Sequence, residues 1–203
     1  MSAPELSAKL AKEPTLLYLR DDSRTLLHTA VLWGQATIVE HLTLNHPDFI
    51  TMADKNGNTA FHLVGETMYL QNGKDGKLAS SLISIFLDAK APLHRRNNDG
   101  KTVLLLLSSR ANEEAGWLNA VEMLLKAGAD PSTQDNEGCS YLHYLAQEAD
   151  VWSPLRLVRM LRNYGADLNL KNDNGQTPLD ICLSNPSQCN QEEWKALAEA
   201  LRQ

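Results

Sequence analysis

The sequence predicts an all-α solenoid, a row of similar turn–helix–helix units in which each unit buries its apolar face against its neighbours. Three observations predict it. One short pattern returns five times along the chain. Apolar stretches of helical period follow the copies. Extra residues fall at one place within the unit, between its two helices.

The pattern is clearest in Asp135-Asn136-Glu137-Gly138-Cys139-Ser140-Tyr141-Leu142-His143 and in Asp54-Lys55-Asn56-Gly57-Asn58-Thr59-Ala60-Phe61-His62. An acid or amide opens it, a glycine stands three residues on, a hydroxyl residue follows two later, and an apolar pair leads to histidine. It returns as Asn97-Asn98-Asp99-Gly100-Lys101-Thr102-Val103-Leu104 and as Asn172-Asp173-Asn174-Gly175-Gln176-Thr177-Pro178-Leu179. A weaker copy, Ser23-Arg24-Thr25-Leu26-Leu27-His28, opens the series.

Taken in order, residues 1–19 hold two short apolar patterns, Leu6/Leu10 and Leu16/Leu17/Leu19, separated by Pro14. Proline suits the first turn of a helix and not its interior. The reading is a short helix, a break and a second helix, an incomplete unit serving as N-terminal cap. In each later unit the glycine supplies a turn position tolerant of positive φ. Thr25, Thr59, Thr102, Ser140 or Thr177 then stands where a helix starts and can accept an orphan backbone N–H. A first helix of two to three turns is expected. A second is read from Ile38/Val39/Leu42, Leu82/Ile83/Ile85/Phe86/Leu87, Val121/Met123/Leu124/Leu125 and Leu157/Val158/Met160/Leu161. Gly128 and Gly165 are C-cap signals. The hydroxyl positions are 34, 43, 38 and 37 residues apart, and the additional residues fall in 66–77, 109–117 and 147–153. Insertions at one place per unit project from one side of the array. Residues 190–202 read as a terminal cap helix, with Asn190 and Glu193 in capping-box register.

The expected division is a single domain, with units at 20–53, 54–96, 97–134, 135–171 and 172–203.

Composition narrows the function. The chain has 203 residues, 43% of them hydrophobic and 22% charged, which is globular and large enough for a core. The net charge of −6, with Arg95-Arg96 the only basic pair, argues against a nucleic-acid partner. The longest apolar run, 103–107, is far too short to span a bilayer, and no signal-peptide pattern opens the chain. Cys139, Cys182 and Cys189 have neither disulfide-framework nor zinc-ligand spacing, so reduced thiols and a cytoplasmic setting are expected. No metal or cofactor is expected.

The Gly-x-Thr-Pro-Leu-His motif, the Gly-Ala-Asp endings at 128–130 and 165–167 and the period resemble the ankyrin repeat. The resemblance covers 20–203, with 1–19 as the cap. It implies an ankyrin-repeat solenoid, a curved stack of β-turn–helix–helix units. Ser23, Leu105 and Asp180 depart from the motif, where Gly, His and His are expected.

The resemblance also implies that His28, His62 and His143 hold neighbouring turns by hydrogen bonds. A catalytic or metal role would need convergent partners instead. No nucleophile stands out, and Gly-x-Ser-x-Gly, His-Glu-x-x-His and Walker-type loops are missing from the sequence. Glu137 near Cys139 raises a thiol pKa. A non-enzymatic protein is expected. In ankyrin repeats partners usually meet the turn tips and the inner face of the first helices. Carried onto this chain, those positions include Lys55, Asn56 and Asn58; Asn98, Asp99 and Lys101; Asn136 and Glu137; and, at helix ends, Leu32, Trp33, Glu66 and Arg110. Trp33 is either a hot spot for a partner or a side chain packed on the N-terminal cap or the 66–77 insertion. Trp117 and Trp152 lie in the inserted loops and are expected to pin them. Arg95 and Arg96 are a solvated edge or a contact for an acidic partner. Leu161 with Asp167-Leu168-Asn169 resembles the pattern that an asparaginyl hydroxylase modifies in ankyrin repeats, which makes Asn169 a candidate for hydroxylation. The other reading is an Asn bonded to the neighbouring turn.

The function expected is a protein–protein interaction module of inhibitor, adaptor or effector type, working through the concave turn and first-helix surface. The alternative is a targeting domain of a larger enzyme or of a secreted bacterial effector acting in host cytosol. The partner is another protein. No nucleic acid and no membrane insertion are expected, and the chain alone is expected to be a monomer.

Overall fold

The computed structural model describes residues 5, 12, 23–66, 77–108, 115–147, 155–184 and 198–200. Eight α-helices are bounded within the described residues, in order: α1 Leu26–Leu32, α2 Ala36–Asn45, α3 Lys77–Asp88, α4 Val103–Ser108, α5 Ala115–Lys126, α6 Tyr141–Gln147, α7 Leu155–Asn163 and α8 Pro178–Ser184. Two 3-10 helices, Pro47–Ile50 and His62–Glu66, lie between α2 and α3. Residues 198–200 are helical. Among the described residues there is no strand; Ala53 and Thr59 form an isolated antiparallel bridge. The N-terminal break at Pro14, most of the 190–202 cap, and the middles of the three insertions lie outside the described residues.

The helices form two layers. α1, the 3-10 helix His62–Glu66, α4, α6 and α8 succeed one another in the first, and α2, α3, α5 and α7 in the second. The core lies between them, where the apolar stripes of both layers meet. Leu27, Leu42, Leu82, Leu124 and Leu161 are completely buried. Phe61 stacks on Phe86 at 4.9 Å between ring centroids. Removing one leucine side chain from water stabilises by roughly 1.5–3 kcal/mol. A row of them therefore outweighs any single surface contact, and stacking of neighbours is the dominant stabilising term.

The turn glycines carry the expected backbone. Gly57 has φ 76°, and a Cβ there would lie 2.4 Å from Asn98 Oδ1, so glycine is required both by conformation and by the approach of the next turn. The first unit reaches the same left-handed region with Ser23 at φ 64°, at a cost of roughly 1–2 kcal/mol. At the far ends of the second helices Gly128 and Gly165 close α5 and α7 as C-caps. The Ala129 N–H donates to Leu124 O at 2.9 Å and the Ala166 N–H to Leu161 O at 3.0 Å. After α3 the same closure is made by Lys90 at φ 56°, with the Ala91 N–H on Phe86 O at 2.9 Å.

Two expectations are corrected. The first helix of the second unit is a 3-10 helix, not an α-helix. The N–H groups of His62, Leu63 and Val64 donate three residues back, to Thr59, Ala60 and Phe61. Val64 and Gly65 are weak helix formers, and Gly65 lets the segment approach α4, where a Cβ would meet Leu106 O at 3.4 Å. Trp117 is not in a loop: α5 begins at Ala115, and Trp117 is wholly buried on it. A large apolar ring gains more in the interlayer core than on an insertion, so the helix starts earlier than the spacing suggested.

Candidate partner-binding surface

The turns form the edge of the molecule, and each is locked from within by one buried side chain. Asp54 Oδ1 accepts the N–H groups of Asn56 and Asn58, both at 2.9 Å. Asn97 Oδ1 does the same for Asp99 and Lys101, Asp135 Oδ1 for Glu137 and Cys139, and Asn172 Oδ1 for Asn174 and Gln176. This is the physical reason the pattern opens with an acid or amide: two turn N–H groups need one acceptor. Successive turns then zip together through backbone bonds, Asn98 N–H to Asn56 O, Asn136 N–H to Asp99 O and Asp173 N–H to Glu137 O, at 2.9 to 3.0 Å.

The motif histidines work behind this edge. In the fourth unit the Ser140 N–H donates to His143 Nδ1 at 3.0 Å, which places the ring proton on Nε2, and Nε2–H donates to Gln176 O of the next unit at 3.0 Å. His28 and His62 repeat the arrangement, reaching Asn58 O and Arg95 O at 3.0 Å. Burial lowers the pKa of His62 and His143, which keeps both rings neutral at pH 7. The three imidazoles thus lie in three separate units, each committed to backbone. Among the described residues no three of His, Cys, Asp or Glu are grouped to hold a metal. The Cys139 thiol is buried in the turn, and burial first, then Asp135, pushes its pKa up. Glu137, the residue invoked from sequence, is a lesser contributor.

The first-helix layer and the turns expose side chains unevenly. Trp33, immediately after α1, is 63% exposed, and Leu32 beside it is half-buried. Lys55, Asn56, Asn98, Asp99, Asn136 and Glu137 are all exposed. Two of these residues already spend an amide on the turn ladder: Asn98 Nδ2 donates to Lys55 O at 3.1 Å and Asn136 Nδ2 to Asn98 O at 2.8 Å. Asn58 is a correction. It is 7% exposed, its carbonyl takes the His28 proton and its Oδ1 accepts Asn97 Nδ2 at 2.9 Å, so it faces the next turn and not a partner. Arg110 and the side chain of Glu66 lie outside the described residues, as does Trp152. Asn169 is exposed on a turn, its N–H held by Asp167 Oδ1 at 2.8 Å.

Arg96 is exposed, but its guanidinium is tied down. Its Nε donates to Gly100 O at 2.8 Å and its Nη2 to Gln134 O at 3.0 Å and Asn136 Oδ1 at 3.3 Å, strapping two turns together. Gln134 stands at the same position one unit on and reaches Lys171 O at 2.9 Å.

Sequence reasoning missed Tyr144. Lys101 Nζ sits 4.7 Å over its ring and 3.9 Å from Asp135 Oδ2, and the Tyr144 hydroxyl donates to that same carboxylate oxygen. Burial and then Asp135 push the phenol's pKa up. The result is a half-buried Lys–Tyr platform beside the turn edge. The only sequence signal was an aromatic residue directly after the motif histidine.

Known proteins share this architecture. A family model described as ankyrin repeats matches residues 110–200 in three copies. NF-kappa-B inhibitor alpha of Gallus gallus is 31% identical over 186 residues, covering 88% of this chain and 52% of that protein. The NF-kappa-B p105 subunit of Gallus gallus is 27% identical over 168 residues, covering 82% of this chain and 16% of that protein. The chain therefore spans about half of one relative and a sixth of the other. A solved ankyrin repeat domain from Acinetobacter baumannii AYE superposes with a TM-score of 0.75 at 21% identity, covering 98% of this chain and 90% of that one.

Proposed function

We propose that this chain, which is an ankyrin-repeat protein, binds another protein through the turn edge and the first-helix layer beside it. Ankyrin repeats are generally interaction modules, and the five-unit division read from the sequence supplies the length of surface required. The observation that carries the reading is Trp33, 63% exposed where α1 ends, on the first-helix layer whose opposite end carries the exposed polar turn residues. A tryptophan costs area to leave in water, and interface hot spots are enriched in it. The ladder behind the row is already rigid, so little ordering entropy opposes docking. Lys55, Asn56, Asp99 and Glu137 form the polar rim, and the Lys101–Tyr144 platform provides a flat contact between them. The role is that of an inhibitor, adaptor or effector, acting by occupying the partner's surface in the cytosol. No described helix is long and apolar enough to cross a membrane.

Affinity capture followed by mass spectrometry identifies the partner, and titration of the purified pair tests the site. Trp33→Ala is expected to weaken binding by about 2 kcal/mol, some thirtyfold. Unchanged affinity in both Trp33→Ala and Lys55→Glu overturns the assignment of this face. In a cytosol that carries an asparaginyl hydroxylase, Asn169 is its target; intact-peptide mass spectrometry showing no added oxygen after incubation with that enzyme removes this part.

A further inference from the structure

The second and fifth turns carry the same dipeptide, Asn56-Gly57 and Asn174-Gly175. A further copy, Asn72-Gly73, lies outside the described residues. The two turns have like backbones. Gly57 has φ 76° and Gly175 φ 73°, and each glycine N–H donates three residues back, to Asp54 O at 3.0 Å and to Asn172 O at 2.8 Å. What lies over them differs. Asn98, in the turn of the third unit, covers the second turn. Its N–H donates to Asn56 O at 3.0 Å and its Nδ2 to Lys55 O at 3.1 Å, and its Oδ1 would lie 2.4 Å from a Cβ on Gly57. The peptide between Asn56 and Gly57 is therefore clamped by its carbonyl. Over the fifth turn a Cβ on Gly175 would meet nothing within 4 Å, and Asn174 and Gly175 are both exposed.

We propose that Asn174 is a self-modification site, at which the backbone nitrogen of Gly175 attacks Asn174 Cγ and the side-chain amide is lost. A bond forms between Gly175 N and Asn174 Cγ, and the Cγ–Nδ2 bond breaks. Nδ2 leaves as ammonia, carrying the proton that the Gly175 nitrogen gives up. Water then opens the cyclic imide. Addition at Cγ leaves aspartate at 174; addition at the backbone carbonyl carbon routes the chain through the side chain, as isoaspartate. Glycine has no Cβ to crowd the attacking nitrogen. To reach Cγ the peptide must rotate, which breaks the Gly175 N–H bond to Asn172 O. In the fifth turn that is a local opening into water. In the second turn the same rotation also pulls Asn56 O off the Asn98 N–H. Segments that open at least cost react first.

The product acts on the join to the fourth unit. Asn172 Oδ1 accepts the Asn174 N–H at 3.1 Å and the Gln176 N–H at 3.0 Å, and Gln176 O takes the His143 proton at 3.0 Å. An isoaspartyl link lengthens the backbone between those two N–H groups, so Asn172 no longer spans both and the fifth unit loosens from His143.

The test is peptide mapping by mass spectrometry of the full chain held in neutral buffer at physiological temperature, with fragmentation that separates aspartate from isoaspartate. Asn174 should convert about tenfold faster than Asn56, the difference that one or two hydrogen bonds between units impose on opening. In guanidinium chloride, with both turns unfolded, the two rates should agree to within about threefold. Hydrogen exchange in α8 should be faster in the isoaspartyl fraction than in the unmodified chain; unaltered exchange there overturns the coupling to the fourth unit. Equal rates in the folded chain, faster conversion at Asn56, or a preference for Asn174 that persists undiminished in denaturant overturns the proposal. So does an intact Asn174 in the folded chain once the unfolded chain has converted.

Discussion

The fourth and third units solve the same problem in different ways. In the fourth, His143 does two jobs: Nδ1 accepts the Ser140 N–H, and Nε2–H reaches Gln176 O in the next unit. In the third, Leu105 fills that position with a buried apolar side chain. There the Thr102 hydroxyl turns round and accepts the Leu105 N–H at 3.3 Å, and the tie to the next unit moves outward to Arg96 on the turn edge. The fifth unit keeps only the local half. Asp180 accepts both the N–H and the hydroxyl of Thr177, at 2.9 and 2.8 Å, which lowers its pKa, and a carboxylate has no proton with which to reach onward. The comparison teaches that closing the helix start and joining the units are separable tasks, which histidine combines because its two ring nitrogens are an acceptor and a donor.

The largest effect expected is at the doubly used ring. His143→Ala leaves the buried Ser140 N–H without its acceptor and takes one of two donors from Gln176 O, and should destabilise by about 2–3 kcal/mol in urea unfolding. A loss below about 0.5 kcal/mol would mean that the imidazole is no better a tie than Leu105. Arg96→Ala comes next. Its bonds lie at the exposed edge, so a loss of about 1 kcal/mol is expected, accompanied by faster hydrogen exchange at Asn136. If the variant matches wild type in both readouts, Arg96 is not what takes the place of the histidine tie.

Acidification sharpens the same contrast. His62 and His143 have folded-state pKa values below the ordinary 6.5, so the unfolded chain binds more protons as pH falls. Their contribution is full above about pH 6.5 and is lost as pH drops toward the folded values. The urea midpoint should therefore fall between about pH 7.5 and 5.5, and fall less in His143→Ala. A midpoint that rises with acidification would contradict the neutral-ring assignment. The smallest effect is at Asp180, fully exposed: Asp180→Ala should lower the melting temperature only slightly. Because that carboxyl's pKa is depressed, the difference from wild type should persist near neutrality and vanish only below about pH 4.

Much of the fold was legible because the repeat overdetermines it. Ile38, Val39, Leu42, Leu82, Ile83, Phe86, Val121, Leu124, Leu125, Leu157, Val158 and Leu161 were read as core from period alone and are buried, while Ile85, Leu87, Met123 and Met160 of the same stripes are half-buried against it. The positive-φ turns were equally plain from the glycines, and Ser23 adopts the same conformation in the place where glycine was expected. Legibility failed where a side chain's direction depends on the next unit. Asn58 was read as a turn tip, yet it turns inward because Asn97 and His28 offer it partners. Arg96 looked like free charge until carbonyls in two turns came within reach. Lys90 closes α3 without any glycine to announce it.

By itself the sequence determined that the chain stacks similar units, where each turns, and which stripes meet in the core. Those properties follow from local rules of period, φ preference and capping that act over a few residues. Only the tertiary structure decided that the second unit starts with a 3-10 helix, that Trp117 enters the core, and that Lys101 lies over Tyr144. Each of these depends on distances between residues tens of positions apart, set by how closely one unit approaches the next, and no local rule fixes that approach.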